Sequence, residues 1–290
     1  MHSQIEQVNS HSAPSSSDRR FEFGRNWSQF LRVLSTERIE TAERSLQTLL
    51  SVEDLQGKSF VDVGSGSGLF SLAAKRLGAS VLSFDFDPDS VACTVELKRR
   101  YFPQDTKWRI EQGSILDEEY LRAMGQFDVV YSWGVLHHTG AMWVALERVV
   151  QLVKAGGTLV VAIYNDQEGR SRRWLMVKRA YNVLPAWAKG LVVWPAFVRL
   201  WGKTILRDLL RGHPFRSWSQ YGRERGMSPW RDVVDWVGGY PFEVAKPEAI
   251  FDYFTARGFV LKKLKTCGGG HGCNEFVFER QCVAPFARLC

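Results

Sequence analysis

The sequence predicts a doubly wound α/β fold, and two observations carry that prediction. Between residues 58 and 164, apolar stretches typical of strands alternate with helical stretches through five rounds, as in a parallel sheet covered by helices on both faces. The last of these strands, Thr158–Tyr164, contains the apolar run LVVAI, which fits a strand buried on both faces. A helix at 247–257 and two alternating stretches, 259–265 and 275–279, then predict a closing antiparallel hairpin. We therefore expect a seven-stranded, mostly parallel sheet with an antiparallel C-terminal strand.

The stretch Ser59–Asp87 carries the first functional signal. It reads as a strand, a glycine-rich turn, a helix over Leu69–Leu77, and a second strand that ends in Asp85. Glycine has no Cβ, so the backbone can turn sharply and lie against a ligand. A carboxylate about 20 residues after such glycines is where a dinucleotide-type fold binds ribose hydroxyls. This predicts a cofactor loop with Asp85 at the ribose, its loop residues being Gly64, Ser65, Gly66 and Gly68.

Asp62 makes the glycine pattern more specific. Together with the alternating glycines it gives D-x-G-x-G-x-G, which resembles motif I of the class I S-adenosylmethionine-dependent methyltransferases. The resemblance implies that S-adenosylmethionine is the cofactor, that Asp62 orients the loop and the cofactor's ammonium group, and that the fold is Rossmann-like. It covers residues 58–164 by motif and 247–279 by topology.

Four further residues are assigned to the cofactor. Phe86 lies beside the adenine ring or is merely a core residue. In the enzymes that the chain resembles, an acidic residue after the third strand binds the adenine amino group. Ser114 occupies that place here, so its hydroxyl or the backbone of Ile115 would replace the contact. Ser132, at the end of the fourth strand, completes the set.

The sequence S-x-x-V-L-H-H that starts at Ser132 resembles the motif after the fourth strand in the ubiquinone- and menaquinone-biosynthesis branch of these enzymes. That resemblance implies a histidine facing the methyl-transfer site. His137 or His138 is then a candidate general base, because the histidine pKa suits neutral pH. Alternatively, one histidine caps the next helix and the other packs under it. The Asn- or Asp-Pro-Pro-Tyr turn of DNA-base and amide methyltransferases is absent, which counts against nitrogen methylation of those substrates.

Two later segments offer candidate site residues with competing interpretations. Glu243 could take a substrate proton or bind a metal, although we favour a salt bridge to Lys246. Cys267, His271 and Cys273 provide only three donors, in a flexible glycine loop without C-x-x-C spacing, so we expect no metal site. We expect this loop to press on the substrate instead, with His271 or Asn274 as the polar contact.

Residues 166–246 form a tryptophan-rich, basic insertion. Between Arg170 and Arg211 there are ten Lys or Arg and one acid, Asp208, whereas the whole chain has a net charge of +7. We expect helices at 174–181, 186–201 and 203–211. Three interpretations stay open: a lid packed on the catalytic domain, a lid that binds membrane or lipid, and an RNA-binding patch, although no recognisable RNA module is present. The ubiquinone O-methyltransferases that the chain resembles also carry a membrane-contacting insertion at this place.

Composition bounds the remaining questions. No run of about 18 uncharged apolar residues exists, so a spanning helix is not expected. Five cysteines without a signal-peptide core indicate reduced thiols in a cytoplasmic protein, with contact to the inner membrane surface left open, as is the oligomeric state. The expected organisation is a disordered tail at 1–20, a helical cap at 21–56 able to cover the cofactor, a core at 57–165, the insertion at 166–246, and closing elements at 247–290.

Together these features predict an S-adenosylmethionine-dependent methyltransferase. The expected reaction is O-methylation of a small or lipid-linked hydroxyl substrate, either a quinone-precursor-like phenol or a glycan. Nucleic acid is not expected as a partner, but an RNA or protein methyltransferase that docks through the basic insertion is an alternative. A NAD-dependent oxidoreductase needs a third glycine where Leu69 stands. A cofactor-binding protein without catalysis is the last alternative.

Overall fold

The computed structural model describes residues 31, 34–214, 216–225 and 229–282, and its sheet matches the predicted fold class. Seven strands lie in the order β3-β2-β1-β4-β5-β7-β6. Strands β1 to β5 are parallel, and β7 runs antiparallel to both β5 and β6. The strands are β1 Ser59–Val63, β2 Ser80–Asp85, β3 Trp108–Gln112, β4 Phe127–Trp133, β5 Val153–Tyr164, β6 Phe259–Lys265 and β7 Cys273–Arg280.

Helices cover both faces of the sheet. Adjacent strand residues point to opposite faces, so Phe60 packs in one core with the helices near the N-terminus, whereas Val61 packs in the other. Asp87 and Asp117 each cap a helix by accepting from a backbone amide, and the cap predicted at Asp117 is confirmed. The helices are α1 Thr36–Leu50, α2 Leu69–Arg76, α3 Pro88–Tyr101, α4 Glu118–Met124, α5 Met142–Leu152, α6 Gly169–Val183, α7 Gly190–Leu210, α8 Arg216–Arg225, α9 Pro229–Gly238 and α10 Pro247–Thr255.

Strand β5 begins earlier than the sequence indicates. Residues 154–157, predicted as a helix stop, lie inside the strand, and the pairing of β4 with β5 shifts register between Phe127 and Val129. Gly157 permits this irregularity. A Cβ there would lie 2.9 Å from the Lys154 carbonyl oxygen and 3.1 Å from that of Phe127, so the crowded backbone admits only glycine.

The insertion forms a helical lid of α6 to α9. One helix end predicted within it, between residues 201 and 203, was wrong. The pieces expected at 186–201 and 203–211 are one continuous helix, α7, which runs through Pro195 and Gly202. Packing against α9 stabilises it: Trp174, Val193, Val233 and Val237 belong to a separate apolar cluster that joins α6, α7 and α9. Tertiary contacts of this kind override the weak helix propensity of a single glycine.

The two ends of the insertion meet. Asn165 and Ala245 form an isolated parallel bridge, and the Ala245 amide donates to the Tyr164 carbonyl at 3.0 Å. The chain therefore leaves and rejoins the core at one point, beside the end of β5. None of the helices in the described ranges is long and apolar enough to cross a membrane. The predicted tail at 1–20, and most of the expected cap before α1, lie outside the described residues.

Candidate active site

A cavity of about 1470 Å³ lies at the carboxyl ends of the parallel strands. This is the edge at which open α/β sheets bind ligands. Its walls come from the glycine loop after β1, the end of β2, the turn after β4, the lid, and the β6–β7 loop. Helix α1, the described part of the expected cap, contributes no residue to these walls; it packs against α2 on one face of the sheet.

The glycine loop requires glycine on two counts. Gly64, Gly66 and Gly68 have φ of +77°, +54° and +78°, the left-handed region that other residues rarely adopt. A Cβ on Gly64 would also lie 2.4 Å from Val135 Cγ1, and one on Gly68 would lie 2.9 Å from the Thr94 Cα atom. The loop is therefore fixed by its own backbone and by its neighbours, and its residues Gly64 and Gly66 lie on the cavity wall.

Two carboxylates support this loop, of which Asp62 is buried and Asp85 is partly buried. Asp85 accepts from the amides of Gly66 and Asp87, each at 2.9 Å, and burial raises its pKa to about 6. Asp62 accepts from the Ser71 hydroxyl at 2.5 Å, and burial raises its pKa to about 7. Within the described chain, no lysine or arginine forms a salt bridge with either carboxylate. Such a pair is suited to a ligand that brings a positive charge and hydroxyl groups.

Most of the predicted cofactor residues lie on the cavity wall. Phe86 is there with 58% of its surface exposed, so the alternative that it is a core residue is wrong. Ser65, Ser114 and Ile115 also line the wall. The Ser114 oxygen accepts from the Leu116 amide at 3.1 Å, which leaves its hydroxyl hydrogen able to donate.

The assignment of Ser132 to the cofactor site is corrected by the structure. Its side chain is fully buried and donates to the Val63 carbonyl at 3.1 Å, so it ties β4 to β1 and does not line the cavity. The alternation of a strand explains this, because the neighbours Tyr131 and Trp133 both lie on the wall.

The two histidines occupy different environments. His138 lines the cavity, and its Nδ1 lies 2.6 Å from the Pro241 carbonyl oxygen. A carbonyl only accepts, so Nδ1 carries the proton and Nε2 carries the lone pair. Burial and the nearby Lys178 lower the pKa of His138 to about 3, which makes the ring neutral but a weak base. His137 is fully buried under the turn against Tyr164, with ring centroids 3.9 Å apart, and is absent from the wall.

Glu243 lies away from the cavity, and its predicted roles as proton acceptor or metal ligand are corrected. Both of its carboxylate oxygens accept from the Met142 amide, at 3.0 and 3.1 Å, at the start of α5. A carboxylate is favourable at a helix N-terminus. The ammonium group of Lys246 lies 3.0 Å from a Glu168 oxygen, so the expected Glu243–Lys246 bridge is also not the arrangement found.

The β6–β7 loop reaches the cavity through His271, whereas Asn274 is buried and holds the loop. Asn274 accepts from the Cys267 amide at 3.1 Å and donates to Asn165 at 3.1 Å. The His271 ring lies 5.6 Å from that of Trp236. In the part of the chain that the structure describes, no three His, Cys, Asp or Glu side chains are grouped to hold a metal ion.

The lid supplies wall residues that sequence reasoning missed. Asp232, Asp235 and Trp236 are spaced i, i+3 and i+4 on α9 and all line the cavity. Acids on one face of a helix in an otherwise basic insertion were the available signal. The other missed wall residues from this part of the chain are Leu200, Trp201, Thr204, Arg207, Ser217, Gln220, Tyr221, Val233 and Tyr240.

Comparison with known proteins covers part of this arrangement. Residues 61–159, which include the glycine loop and the turn after β4, match the methyltransferase domain family. Over these residues the chain is similar to that family. It is 25% identical over 191 residues to a ubiquinone biosynthesis O-methyltransferase of Rhodopseudomonas palustris strain BisB18, covering 63% of this chain and 64% of the relative. A relative with the same name from Brucella melitensis biotype 2 is 30% identical over 111 residues, covering 38% and 43%.

The match is partial, since the chain spans a little under two thirds of the length of the first of these curated relatives. Solved structures of low sequence identity support the fold alone. The magnesium protoporphyrin IX methyltransferase of Synechocystis PCC 6803, with bound S-adenosylhomocysteine, has a TM-score of 0.52 at 13% identity and covers 89% of this chain and 95% of its own. An O-methyltransferase family protein from Burkholderia thailandensis has a TM-score of 0.50 at 13% identity, covering 85% and 58%.

Proposed function

We propose that this protein is an S-adenosylmethionine-dependent methyltransferase that methylates a hydroxyl group of a small or lipid-linked substrate. The observation that carries the proposal is the pair of carboxylates, the buried Asp62 and the partly buried Asp85, at a glycine loop in the segment that matches the methyltransferase domain family. S-adenosylmethionine supplies an electrophilic methyl group on a positively charged sulfur. Its ammonium group and ribose hydroxyls fit the two carboxylates, because each brings hydrogen-bond donors to a buried or partly buried acceptor.

The described residues offer a partner for each part of this cofactor. Asp62 would bind the ammonium group, and Asp85 the ribose hydroxyls. The exposed ring of Phe86 offers a face to the adenine. The Ser114 hydroxyl, or the backbone of Ile115, would bind the adenine edge in place of the acidic residue expected from the family motif.

The size of the cavity supports a second ligand. A pocket for one drug-sized molecule has roughly 300–1,000 Å³, whereas this cavity has about 1470 Å³. Its lid side presents aromatic rings, which suit a planar acceptor such as a phenol of the quinone-precursor type; they are Tyr164, Trp201, Tyr221, Trp236 and Tyr240. The lid would hold this acceptor in line with the methyl group and exclude water. Alignment of the two reactants lowers the activation barrier of methyl transfer.

Calorimetric titration with S-adenosylhomocysteine and, separately, with NAD tests the cofactor. We expect binding of the first and none of the second. Tritiated S-adenosylmethionine with a catechol then tests the acceptor class, with the label expected on oxygen. Binding of NAD alone would overturn the proposal, as would binding of neither.

A membrane surface is the proposed partner of the lid. On α7, Leu191, Trp194 and Val198 lie on one side of the helix and are more than half exposed, and Trp187 just before it is 84% exposed. Basic side chains of the insertion accompany this apolar stripe. A stripe of this kind with flanking positive charge fits the interface of anionic lipid. It would bring a lipid-linked substrate to the cavity, to which Trp201 and Arg207 of the same helix contribute.

Flotation with vesicles tests this partner. The wild-type protein should float with vesicles that contain phosphatidylglycerol and less with pure phosphatidylcholine. The double variant Leu191→Ser/Trp194→Ser should lose flotation, whereas Val95→Ser/Val144→Ser, which removes exposed apolar residues from α3 and α5, should keep it. Equal flotation of the two variants would contradict the role of α7.

A further inference from the structure

We propose that Arg207, on lid helix α7, binds a carboxylate of the methyl acceptor, so that the substrate is a phenol that carries a carboxylate as well as the reacting hydroxyl. This inference rests on the proposed function and deepens it, because it names the class of acceptor. The proposed function requires only a hydroxyl group, whereas this site would select among hydroxyl substrates by their charge.

Arg207 belongs to the side of α7 that lines the cavity. Trp201, Thr204 and Arg207 follow one another at intervals of three residues, and all three lie on the wall, as neighbours along one side of a helix do. Val198 belongs to the exposed apolar stripe of the same helix. Nine residues separate it from Arg207, which is about 2.5 helical turns. Arg207 therefore lies opposite the surface that is proposed to contact lipid.

The positive charge of Arg207 is not neutralised by a salt bridge within the described ranges. None of the ion pairs formed there includes Arg207. Asp208, the next residue, is buried and engaged with α8, because its oxygens accept from the Ser217 amide at 2.8 Å and from the Ser217 hydroxyl at 2.9 Å. The Thr204 hydroxyl, about one turn before Arg207, adds a second hydrogen-bond donor to this part of the wall.

The charge of the wall favours a carboxylate over a phosphate. A guanidinium group has one positive charge and a planar pair of donors, which match the charge and the two oxygens of a carboxylate. The ammonium group of Lys265, which also lines the described wall, lies 3.4 Å from a Glu275 oxygen. Asp232 and Asp235 add negative charge on the lid side. The second negative charge of a phosphate would thus meet repulsion without a second unpaired lysine or arginine on this described wall.

The distribution of charge gives the acceptor one orientation. Asp62 and Asp85 make the cofactor side of the cavity acidic, so this side repels a carboxylate, whereas Arg207 on the lid side attracts it. The rings of Trp201 and Tyr221 both line the wall, with their centroids 5.0 Å apart, and offer apolar surface to the aromatic ring of the acceptor. A carboxylate held at Arg207 leaves the hydroxyl end of the molecule for the methyl group.

Calorimetry with the full chain and saturating S-adenosylhomocysteine tests this site with two probes of similar shape. The first, 3,4-dihydroxybenzoate, carries the carboxylate, and 3,4-dihydroxybenzamide replaces it by a neutral amide. The wild type should bind the acid about 10-fold more tightly than the amide, the lower end for a hydrogen bond between charged groups, because Arg207 is exposed. Arg207→Gln should bind both probes alike and keep the wild-type affinity for S-adenosylhomocysteine.

Two further variants separate direct contact from a general effect of charge. Lys203→Gln removes a positive charge from the same helix, but Lys203 is exposed and absent from the wall, so this variant should keep the preference for the acid. Arg207→Lys keeps the charge without the paired donors of the guanidinium group and should show an intermediate preference. If Lys203→Gln loses the preference as fully as Arg207→Gln does, the effect is long-range and the inference is overturned.

The same titrations distinguish the ligand chemistry from the proposed function. Benzoate should displace 3,4-dihydroxybenzoate from the wild type, whereas inorganic phosphate at the same concentration should not, and the reverse order would contradict the carboxylate assignment. Equal affinity of the wild type for the acid and the amide, or no binding of the acid, would also overturn the inference. Failure of the proposed function is read separately, as an absence of S-adenosylhomocysteine binding to the wild type.

Discussion

The backbone amide of Gly66 donates a hydrogen bond to the Asp85 carboxylate at 2.9 Å, although 19 residues separate them. The second oxygen of Asp85 accepts from the Asp87 amide at the same distance. The end of β2 thereby fixes the loop that follows β1. The Asp85 carboxylate, which would bind the ribose, therefore also holds the glycine loop in place.

Asp85→Asn should weaken the binding of S-adenosylhomocysteine about 10- to 100-fold. A hydrogen bond to a charged group contributes roughly 1.5–3 kcal/mol, and the asparagine keeps one acceptor oxygen for the loop. Calorimetry at pH 8 measures the change. Glu53→Gln, an exposed carboxylate after α1, is the control that should bind like the wild type. Wild-type affinity in Asp85→Asn would remove this residue from the ribose site.

Gly64→Ala should lower the free energy of unfolding more than Gly57→Ala does. Both positions have positive φ, +77° and +73°, so both substitutions carry backbone strain of roughly 1–3 kcal/mol. At Gly57 a Cβ meets nothing within 4 Å, whereas at Gly64 it lies 2.4 Å from Val135 Cγ1. Urea unfolding should show a larger loss for Gly64→Ala, and Gly64→Ala/Val135→Ala should recover the steric part. Equal losses for the two single variants would contradict this close contact.

The sheet and the glycine loop could be predicted because their signals are local. Strand residues are apolar, turns need glycine, and the cap at Asp117 depends only on the residues that follow it. Ser132 was misassigned because β4 is buried on both faces, so its apolar sequence does not indicate which side each residue faces. Glu243 was misassigned because its partner is the Met142 amide, 101 residues away. The spacing of Asp232 and Asp235 indicates that they share one face of α9, but which way that face points depends on how α9 packs against α6 and α7.

Asp62→Asn should stabilise the ligand-free protein at pH 8. Burial raises the pKa of Asp62 from 3.8 to about 7, so between these values the folded state binds more protons than the unfolded state. The free energy of unfolding therefore falls as pH rises, by up to about 1.4 kcal/mol per pH unit. Asparagine removes this penalty, so the variant's advantage should grow from pH 5 to pH 8 in urea unfolding. The same variant should bind S-adenosylhomocysteine more weakly. A pH-independent difference would contradict the burial of an ionised Asp62.

Lys178 should show the corresponding effect for a buried base. It is fully buried, donates to the Trp236 carbonyl, and lies 4.4 Å from the Trp236 ring centroid and 4.7 Å from that of Phe242. Burial lowers its pKa from 10.5 to about 7, so between these values the unfolded state binds more protons. The free energy of unfolding should then rise with pH by up to about 1.4 kcal/mol per unit.

Lys178→Met tests this slope because methionine fills the same space without a charge to bury. The variant should be more stable than the wild type at pH 7, and the difference should shrink as pH approaches 10. Lys189→Met, which removes a half-buried lysine 4.7 Å from the Tyr181 ring centroid, should leave the slope as it is in the wild type. If Lys178→Met is less stable than the wild type by a constant amount across this range, the Trp236 carbonyl and the two rings offset the burial of the ammonium group. Lys178 would then stabilise the packing of α6 against α9 in its charged form.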